Sequence, residues 1–434
     1  MSSSSSTTTT TLPIQDVIRT ERVLLAPLVG GSDVAFRLLC RRYGARVTYT
    51  EMCVARFWLN AATRREHLFH FAAGDRPLVL QLTDSTAEPI VAMANDALFR
   101  GHIDALDINL GCPQTVAQRA LFGAYLVDLK GVDFTVALLK QVVAGVAPLP
   151  VTAKIRLHKD VASTVDYVRR LFDDAGVVAV TIHGRFLWQR GSKRGDSDWA
   201  AIDAVKAALP TRCIIGNGDV RSHAHLQMRL ATSKADAVMV GYGALRDPTL
   251  FAPDAVPLER VVQEYIDLAR QYPCKLIDVK RHLGWLTKHV CKSKLQRFHL
   301  FDARTLDAVV GVLATFATPL HIHLPPPAER TADKIADELH MIEEPPADMK
   351  PRVRKRVLKA MRRAAKQRSR HLEKAMEADA AQEEGGGGGG KKKKPRKEER
   401  PKRDDGNGSG SDNDDDDDDD GSGDESERSD EGQG

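Results

Sequence analysis

Asn109 and Cys112 stand three residues apart in the run Asn109-Leu110-Gly111-Cys112-Pro113. Ala105, Leu106, Ile108 and Leu110 read as a strand, so the strand brings an amide to its C-terminal end and the turn brings a thiol just beyond it. A free thiol has a pKa near ~8.5, is mostly protonated at neutral pH, and can hand a proton to a substrate. Taken alone, a cysteine after a strand is as well read as a small buried hydrophobe. What changes the balance is the set of polar residues at the ends of the other apolar runs. Lys154 and Arg156 are two apart and share a strand face. A lysine placed there is costly without a partner and suits an electron-rich ring or an anionic oxygen. Gln81, His183 with Gly184-Arg185, Asn217-Gly218-Asp219 and Gly241-Tyr242-Gly243 close further runs. His183 reads either as a donor to a ring carbonyl or as a helix cap. The two glycine-rich ends fit a phosphate, because glycine lets backbone N–H groups approach an anion at a helix N-terminus. A planar cofactor anchored by its phosphate, flavin mononucleotide, suits this set. The sequence has no metal-ligand spacing, no Ser/His/Asp set and no paired carboxylates.

The elements that must position these residues alternate. Apolar runs at Val23–Leu28, Val47–Met52, Leu78–Leu82, Ala105–Leu110, Val151–Arg156, Val177–His183, Arg212–Gly216 and Asp236–Val240 predict eight strands. Between them lie helix-like stretches such as Val34–Tyr43, Glu88–Phe99, Ser163–Ala175 and Trp199–Ala208. Strands alternating with helices imply a parallel sheet, and eight such units match a TIM (β/α)8 barrel. A doubly wound sheet is the alternative, but no GxGxxG follows the first strand. Closure puts every polar residue named above at one end of the barrel, the end that carries active sites in this architecture.

With those motifs in view, the chain resembles the tRNA-dihydrouridine synthases, in particular the eukaryotic type that acts at tRNA positions 16 and 17. The resemblance rests on Ala26-Pro27-Leu28-Val29 with Ser32-Asp33 and Phe36-Arg37; Tyr49-Thr50-Glu51-Met52; Asn109 to Gln114; Lys154-Ile155-Arg156; His183-Gly184-Arg185; and Asn217-Gly218-Asp219. It implies an FMN-dependent oxidoreductase with NADPH as reductant, reducing uridine of the tRNA D-loop to 5,6-dihydrouridine. In that case Pro27, Leu28 and Val29 contact the flavin ring, and Gln81, Lys154 and His183 bond its edge. Asn217, Gly218 and Asp219 with Gly241, Tyr242 and Gly243 hold its phosphate. Asn109 and Arg156 grip the uracil. Hydride goes from reduced FMN to C6, and Cys112 protonates C5. The chain departs from the family at Leu28 for Met, at Tyr242 for Arg and at Phe186 for Thr, so the phosphate grip rests more on backbone amides. The alternatives are an FMN barrel acting on a free small molecule, as a dihydroorotate dehydrogenase does, and a non-catalytic RNA-binding barrel.

Of the 434 residues, 42% are hydrophobic, enough for a large core, and the length allows two or three domains. Residues 1–19 read as a disordered Ser/Thr-rich leader, 20–254 as the FMN-binding barrel, 255–325 as a helical tRNA-binding domain and 326–434 as a charged, disordered tail. Leu258, Val261, Val262, Tyr265 and Ala269 follow helical spacing, as do Val279, Leu283, Leu286 and Val290. Lys280, Arg281, Lys288, Lys292, Lys294 and Arg297 form a basic side suited to a phosphate backbone. Thr305–Ala317 reads as the last helix. Within the tail, 11 of the 21 residues Lys350–Arg370 are basic and none is acidic, whereas Asp404–Gly434 carries 15 acids against one Arg, so the net charge of +4 describes neither. Such blocks cannot pack, and the basic ones suit RNA or nuclear import. Six cysteines without a CxxC pair point to reduced thiols inside a cell. With no run long enough to span a bilayer, we expect a cytoplasmic or nuclear monomer without membrane attachment.

Overall fold

The computed structural model describes residues 12–59, 69–190, 194–272, 274–291, 293–316, 319–320 and 322. Nine strands are described: β1 Val23–Leu25, β2 Thr48–Tyr49, β3 Cys53–Val54, β4 Leu78–Thr83, β5 Ala105–Leu110, β6 Val151–Leu157, β7 Ala179–Phe186, β8 Ile214–Asn217 and β9 Ala237–Val240. All pair in parallel, in the order β1-β9-β8-β7-β6-β5-β4-β2, and β3 also lies on β4. The two short strands β2 and β3 share one place in the barrel. The circle closes where Leu24 bridges Val47, with Leu25 N–H donating to the Val47 carbonyl at 2.9 Å. This is a TIM barrel.

The period-2 pattern explains which face each strand buries. In β5, Leu106, Ile108 and Leu110 join the large core shared with the surrounding helices, while Ala105 joins the separate cluster inside the barrel. That inner cluster also contains Leu24, Val47, Tyr49, Val79, Ile215 and Met239. Ile14 and Ile18 belong to it as well. They sit on a helix, Ile14–Glu21, within the span read from sequence as a disordered leader. The boundary was placed too late because a single apolar pair at i, i+4 follows the Ser/Thr run. Residues 1–11 lie outside the described residues.

Val34–Tyr43 and Trp199–Ala208 form helices over the spans expected, and Asp33 and Asp198 cap their first turns. The other two differ at their ends, Ala87–Ala94 and Val161–Asp173. β1 stops at Leu25, shorter than expected, just before Pro27, which has no N–H for the ladder. β7 runs three residues past His183, so His183-Gly184-Arg185 lies within a strand.

After the barrel come helices Leu258–Gln271, Leu276–Leu286, Lys294–Asp302 and Leu306–Leu313. The expected apolar positions Val261, Val262, Tyr265, Val279, Leu283 and Leu286 are buried. One basic residue is not where the spacing put it. Lys280 is 8% exposed, and its Nζ donates to the carbonyls of Phe301 and Ala303 at 2.6 and 3.0 Å, satisfying the end of the next helix. Arg281, Lys288, Lys294 and Arg297 are exposed, and Lys292 lies outside the described residues. The last helix is shorter than Thr305–Ala317, with Thr305 as its cap. His282 ties these helices to the barrel. Its ring stacks on Phe36 at 4.3 Å, and its Nε2 lies 2.5 Å from Asp33 Oδ2, just beyond the β1 turn. The charged tail, with its basic and acidic blocks, lies outside the described residues. Among the described residues no helix is long and apolar enough to cross a membrane.

Candidate active site

β5 and the turn after it are held by a directional chain of hydrogen bonds. Asp107 is fully buried and, when ionised, can only accept. Its Oδ1 accepts from Thr152 Oγ1 at 2.6 Å and its Oδ2 from Gln81 Nε2 at 2.8 Å. That fixes the Gln81 amide, whose Oε1 accepts from Asn109 Nδ2 at 3.1 Å. Asn109 is fixed in turn, and its Oδ1 accepts the backbone N–H groups of Gly111 and Cys112, both at 3.0 Å. The thiol at the barrel mouth is thus positioned from a carboxylate in the lumen. Burial pushes the Asp107 carboxyl up from 3.8 to about 6. Asp107 was not singled out from sequence, although its place two residues before Asn109 puts it on the same strand face.

Burial also pushes the Cys112 thiol up, against the opposing pull of Arg156 and Lys154, so the proton stays on sulfur at neutral pH. Lys154 Nζ donates to Asn217 Oδ1 at 2.9 Å. Burial brings its ammonium down from 10.5 to about 8, while Asp107 works the other way. Asn217 Nδ2 donates to the Met239 carbonyl, which sets its orientation. Arg156 Nε donates to Gly111 O at 3.0 Å, and Nη1 to Phe186 O and Gln189 O. Much of Arg156 and the carbonyl end of Asn109 therefore serve the scaffold.

His183 and Arg185 form the other wall. Burial, followed by the charges of Lys154, Arg156 and Arg185, holds His183 far below its ordinary pKa, so the ring is neutral. Arg185 Nη1 lies 2.9 Å from Nε2 and can only donate, so Nε2 accepts and the proton sits on Nδ1. His183 lies inside β7 and so caps no helix. Arg185 is buried, and its Nη2 donates to both Asp219 oxygens, at 2.7 and 2.6 Å. Burial opposes ionisation of Asp219, but the Arg185 bonds and the Ser197 N–H outweigh it and hold the carboxyl well below the usual range. The Asp219 side chain thus turns to Arg185.

At the ends of β8 and β9 the glycines are required by space. A Cβ on Gly218, where φ is +133°, would meet Ser197 Oγ at 2.0 Å, and one on Gly243 would meet the Val220 carbonyl at 2.3 Å. Gly241 precedes the short helix Tyr242–Arg246, and the guanidiniums of Arg194 and Arg246 lie over the Tyr242 ring at 5.8 and 5.9 Å. Pro27, Leu28 and Val29 form the turn after β1, pinned by Leu28 N–H to Ser32 Oγ at 2.8 Å, with Val29 69% exposed. The barrel therefore brings all the sequence-predicted site residues to the C-terminal ends of its strands. Among the described residues no group of His, Cys, Asp and Glu could hold a metal.

The Arg185–Asp219 pair gives a stability prediction. Arg185→Leu removes the two short guanidinium bonds to Asp219, leaving it the Ser197 N–H and the more distant Arg221, and should cost about 2 kcal/mol. The double variant Arg185→Leu/Asp219→Asn should recover part of that loss in urea unfolding. No recovery would place the cost elsewhere.

The site is thus a polar cluster of Cys112, Lys154, Arg156 and His183 at the mouth of a parallel TIM barrel. The model of the Dihydrouridine synthase (Dus) family matches residues 24–305. The chain belongs to that family. It is 34% identical over 294 residues to a rat protein described as tRNA-dihydrouridine(16/17) synthase [NAD(P)(+)]-like, covering 67% of this chain and 66% of that one. It is 31% identical over 260 residues to tRNA-dihydrouridine(16/17) synthase [NAD(P)(+)] of Saccharomyces cerevisiae, covering 57% of this chain and 60% of that one. The chain thus spans under two thirds of the length of these relatives. Among solved structures, histamine dehydrogenase from Rhizobium sp. 4-9 aligns with a TM-score of 0.41 at 11% identity, over 57% of this chain and 49% of that one, a likeness too slight to carry an argument.

Proposed function

We propose that this protein reduces uridine to 5,6-dihydrouridine in the D-loop of tRNA, at positions 16 and 17, using FMN, with NADPH as the source of electrons. The observation that carries the proposal is the Cys112 thiol, kept protonated by burial and fixed at the barrel mouth through Asn109, Gln81 and Asp107. The residues fit a flavin. Lys154 uses one of its three protons on Asn217, and two are left for an electron-rich edge. At the β8 and β9 ends Gly218 and Gly243 are packed against Ser197 and Val220, and the backbone amides after these strands are the groups offered to a phosphate. Reduced FMN, when bound, supplies the hydride for C6 of the uracil. Lys154, Gln81 and the Nδ1–H of His183 hold the ring edge, and the turn Pro27–Val29 lies against it. Backbone amides of residues 217–219 and 241–243 hold the phosphate. Arg156 Nη2 and Asn109 Nδ2 orient the uracil, and Cys112 Sγ–H delivers the proton to C5. A base flipped out of its stack reaches a thiol on a turn at the mouth. The exposed Arg281, Lys288, Lys294 and Arg297 serve the tRNA backbone, as a helical module over 255–325.

Position is tested with tRNA transcripts in which U16, U17 or both are replaced by cytidine. The proposal expects each single change to remove one dihydrouridine and the double change to remove all. Dihydrouridine at another position of the doubly substituted transcript would contradict it. Flavin released from the purified protein, identified by chromatography, tests the cofactor.

A further inference from the structure

We infer that the groove beside the Cys112 turn is a subsite for a second nucleobase of the substrate RNA, a neighbour of the base being reduced, which stacks on Trp188. The inference rests on the proposed tRNA substrate and adds to it a contact outside the reacting ring. Trp188 is 63% exposed, with its ring parallel to that of Phe186 at 6.1 Å. It lies with Leu187 over a cavity of about 250 Å³ bounded by Tyr125, Gln118, Asp128 and Arg190. A second cavity of about 220 Å³ reaches Arg156 and shares Asp128, Leu187 and Trp188 with the first. The second cavity is thus lined by Arg156, one of the two residues proposed to orient the reacting uracil.

The far wall is built onto the catalytic turn itself. Tyr125 OH donates to the carbonyl of Pro113 at 3.0 Å, and Arg190 Nη1 donates to that carbonyl at 2.7 Å and to the Tyr125 oxygen at 2.6 Å. The chemistry around the groove suits a base. The indole offers a stacking face, the Asp128 carboxylate accepts from base N–H groups, the Gln118 amide both donates and accepts, and the exposed Arg190 lies near where a backbone phosphate would pass. Stacking of this kind tolerates any base, so it would hold the strand without fixing its sequence.

The test uses the full chain with its flavin, the variants Trp188→Ala and Trp188→Phe, and tRNA transcripts carrying an abasic nucleotide on either side of the target uridine. Base–aromatic stacking predicts that Trp188→Ala raises KM for tRNA by roughly tenfold to a hundredfold. Flavin content should be unchanged, and Trp188→Phe should recover most of the loss. One abasic neighbour should reproduce the defect in the wild type and add nothing in Trp188→Ala. Equal KM for wild type and Trp188→Ala, or no effect of either abasic neighbour, overturns the subsite. So does a change of oligomeric mass in Trp188→Ala with KM for tRNA intact, which would make Trp188 a contact between copies. Should the wild type bind tRNA but reduce no uridine, the proposed reaction fails on its own. Quenching of indole fluorescence by tRNA, present in wild type and lost in Trp188→Phe, then still reads the subsite, and its absence overturns it.

Discussion

Cys112→Ala lowers uridine reduction by about 10²–10⁴-fold while fold and bound flavin stay as they are. The substitution removes Sγ and keeps Cβ, so the packing of Gly123 against this residue is preserved. The turn is also kept, because Asn109 holds it through the backbone N–H groups of Gly111 and Cys112. What disappears is the proton donor. The same account sets the pH profile. Burial raises the thiol above its ordinary value, so the donor form persists through neutral pH and the part of the pH profile set by Cys112 lies above that ordinary value, absent from Cys112→Ala. Steady-state rates across pH, on protein checked for flavin, read both effects. A variant that keeps most of its rate would remove Cys112 from the chemistry.

The second large effect is expected at Asp107, which touches neither substrate nor cofactor. Asp107→Leu leaves Gln81 Nε2 and Thr152 Oγ1 buried without their acceptor, at a cost of about 1–3 kcal/mol for each. It also frees the Gln81 and Asn109 amides to turn, so turnover should fall further than the loss of folded protein explains. Asp107→Asn should recover most of the rate, since its carbonyl still accepts from Gln81 and the Thr152 hydroxyl can turn to accept from the new amide. The two ionisation states separate these variants again. From 3.8 to about 6 the folded protein keeps on Asp107 a proton that the unfolded chain releases. Stability should therefore fall as pH rises through that window, and Asp107→Asn should lack this component. Urea unfolding between pH 4 and 7 measures it; an identical pH dependence in the two proteins would refute it.

The barrel and the cluster at its mouth were legible in the sequence because both follow from the alternation of elements. Apolar runs alternating with helix-like stretches point to eight strands, and their C-terminal ends collect Gln81, Asn109, Cys112, Lys154, Arg156, His183 and Asn217 without any structure. The bonding among these residues was not legible. Residue type allows Asn109 to face a substrate, and only the three-dimensional path of the turn shows its carbonyl bound to Gly111 and Cys112. Asp107 read as a polar residue within an apolar strand because its partners Gln81 and Thr152 come from the two neighbouring strands. Lys280 read as a surface charge because the carbonyls that bury it belong to the next helix. Helical spacing fixes the face a residue shares with its own helix and says nothing of what another helix brings to it.

The most direct test of the central claim is to incubate the protein with unmodified tRNA and NADPH and to measure dihydrouridine by nucleoside mass spectrometry, with flavin-loaded Cys112→Ala beside it. Dihydrouridine from the wild type and almost none from the variant is the result predicted here. Equal product from both would contradict the role of Cys112, and no product from either across several tRNAs, with flavin bound, would contradict tRNA uridine as the substrate.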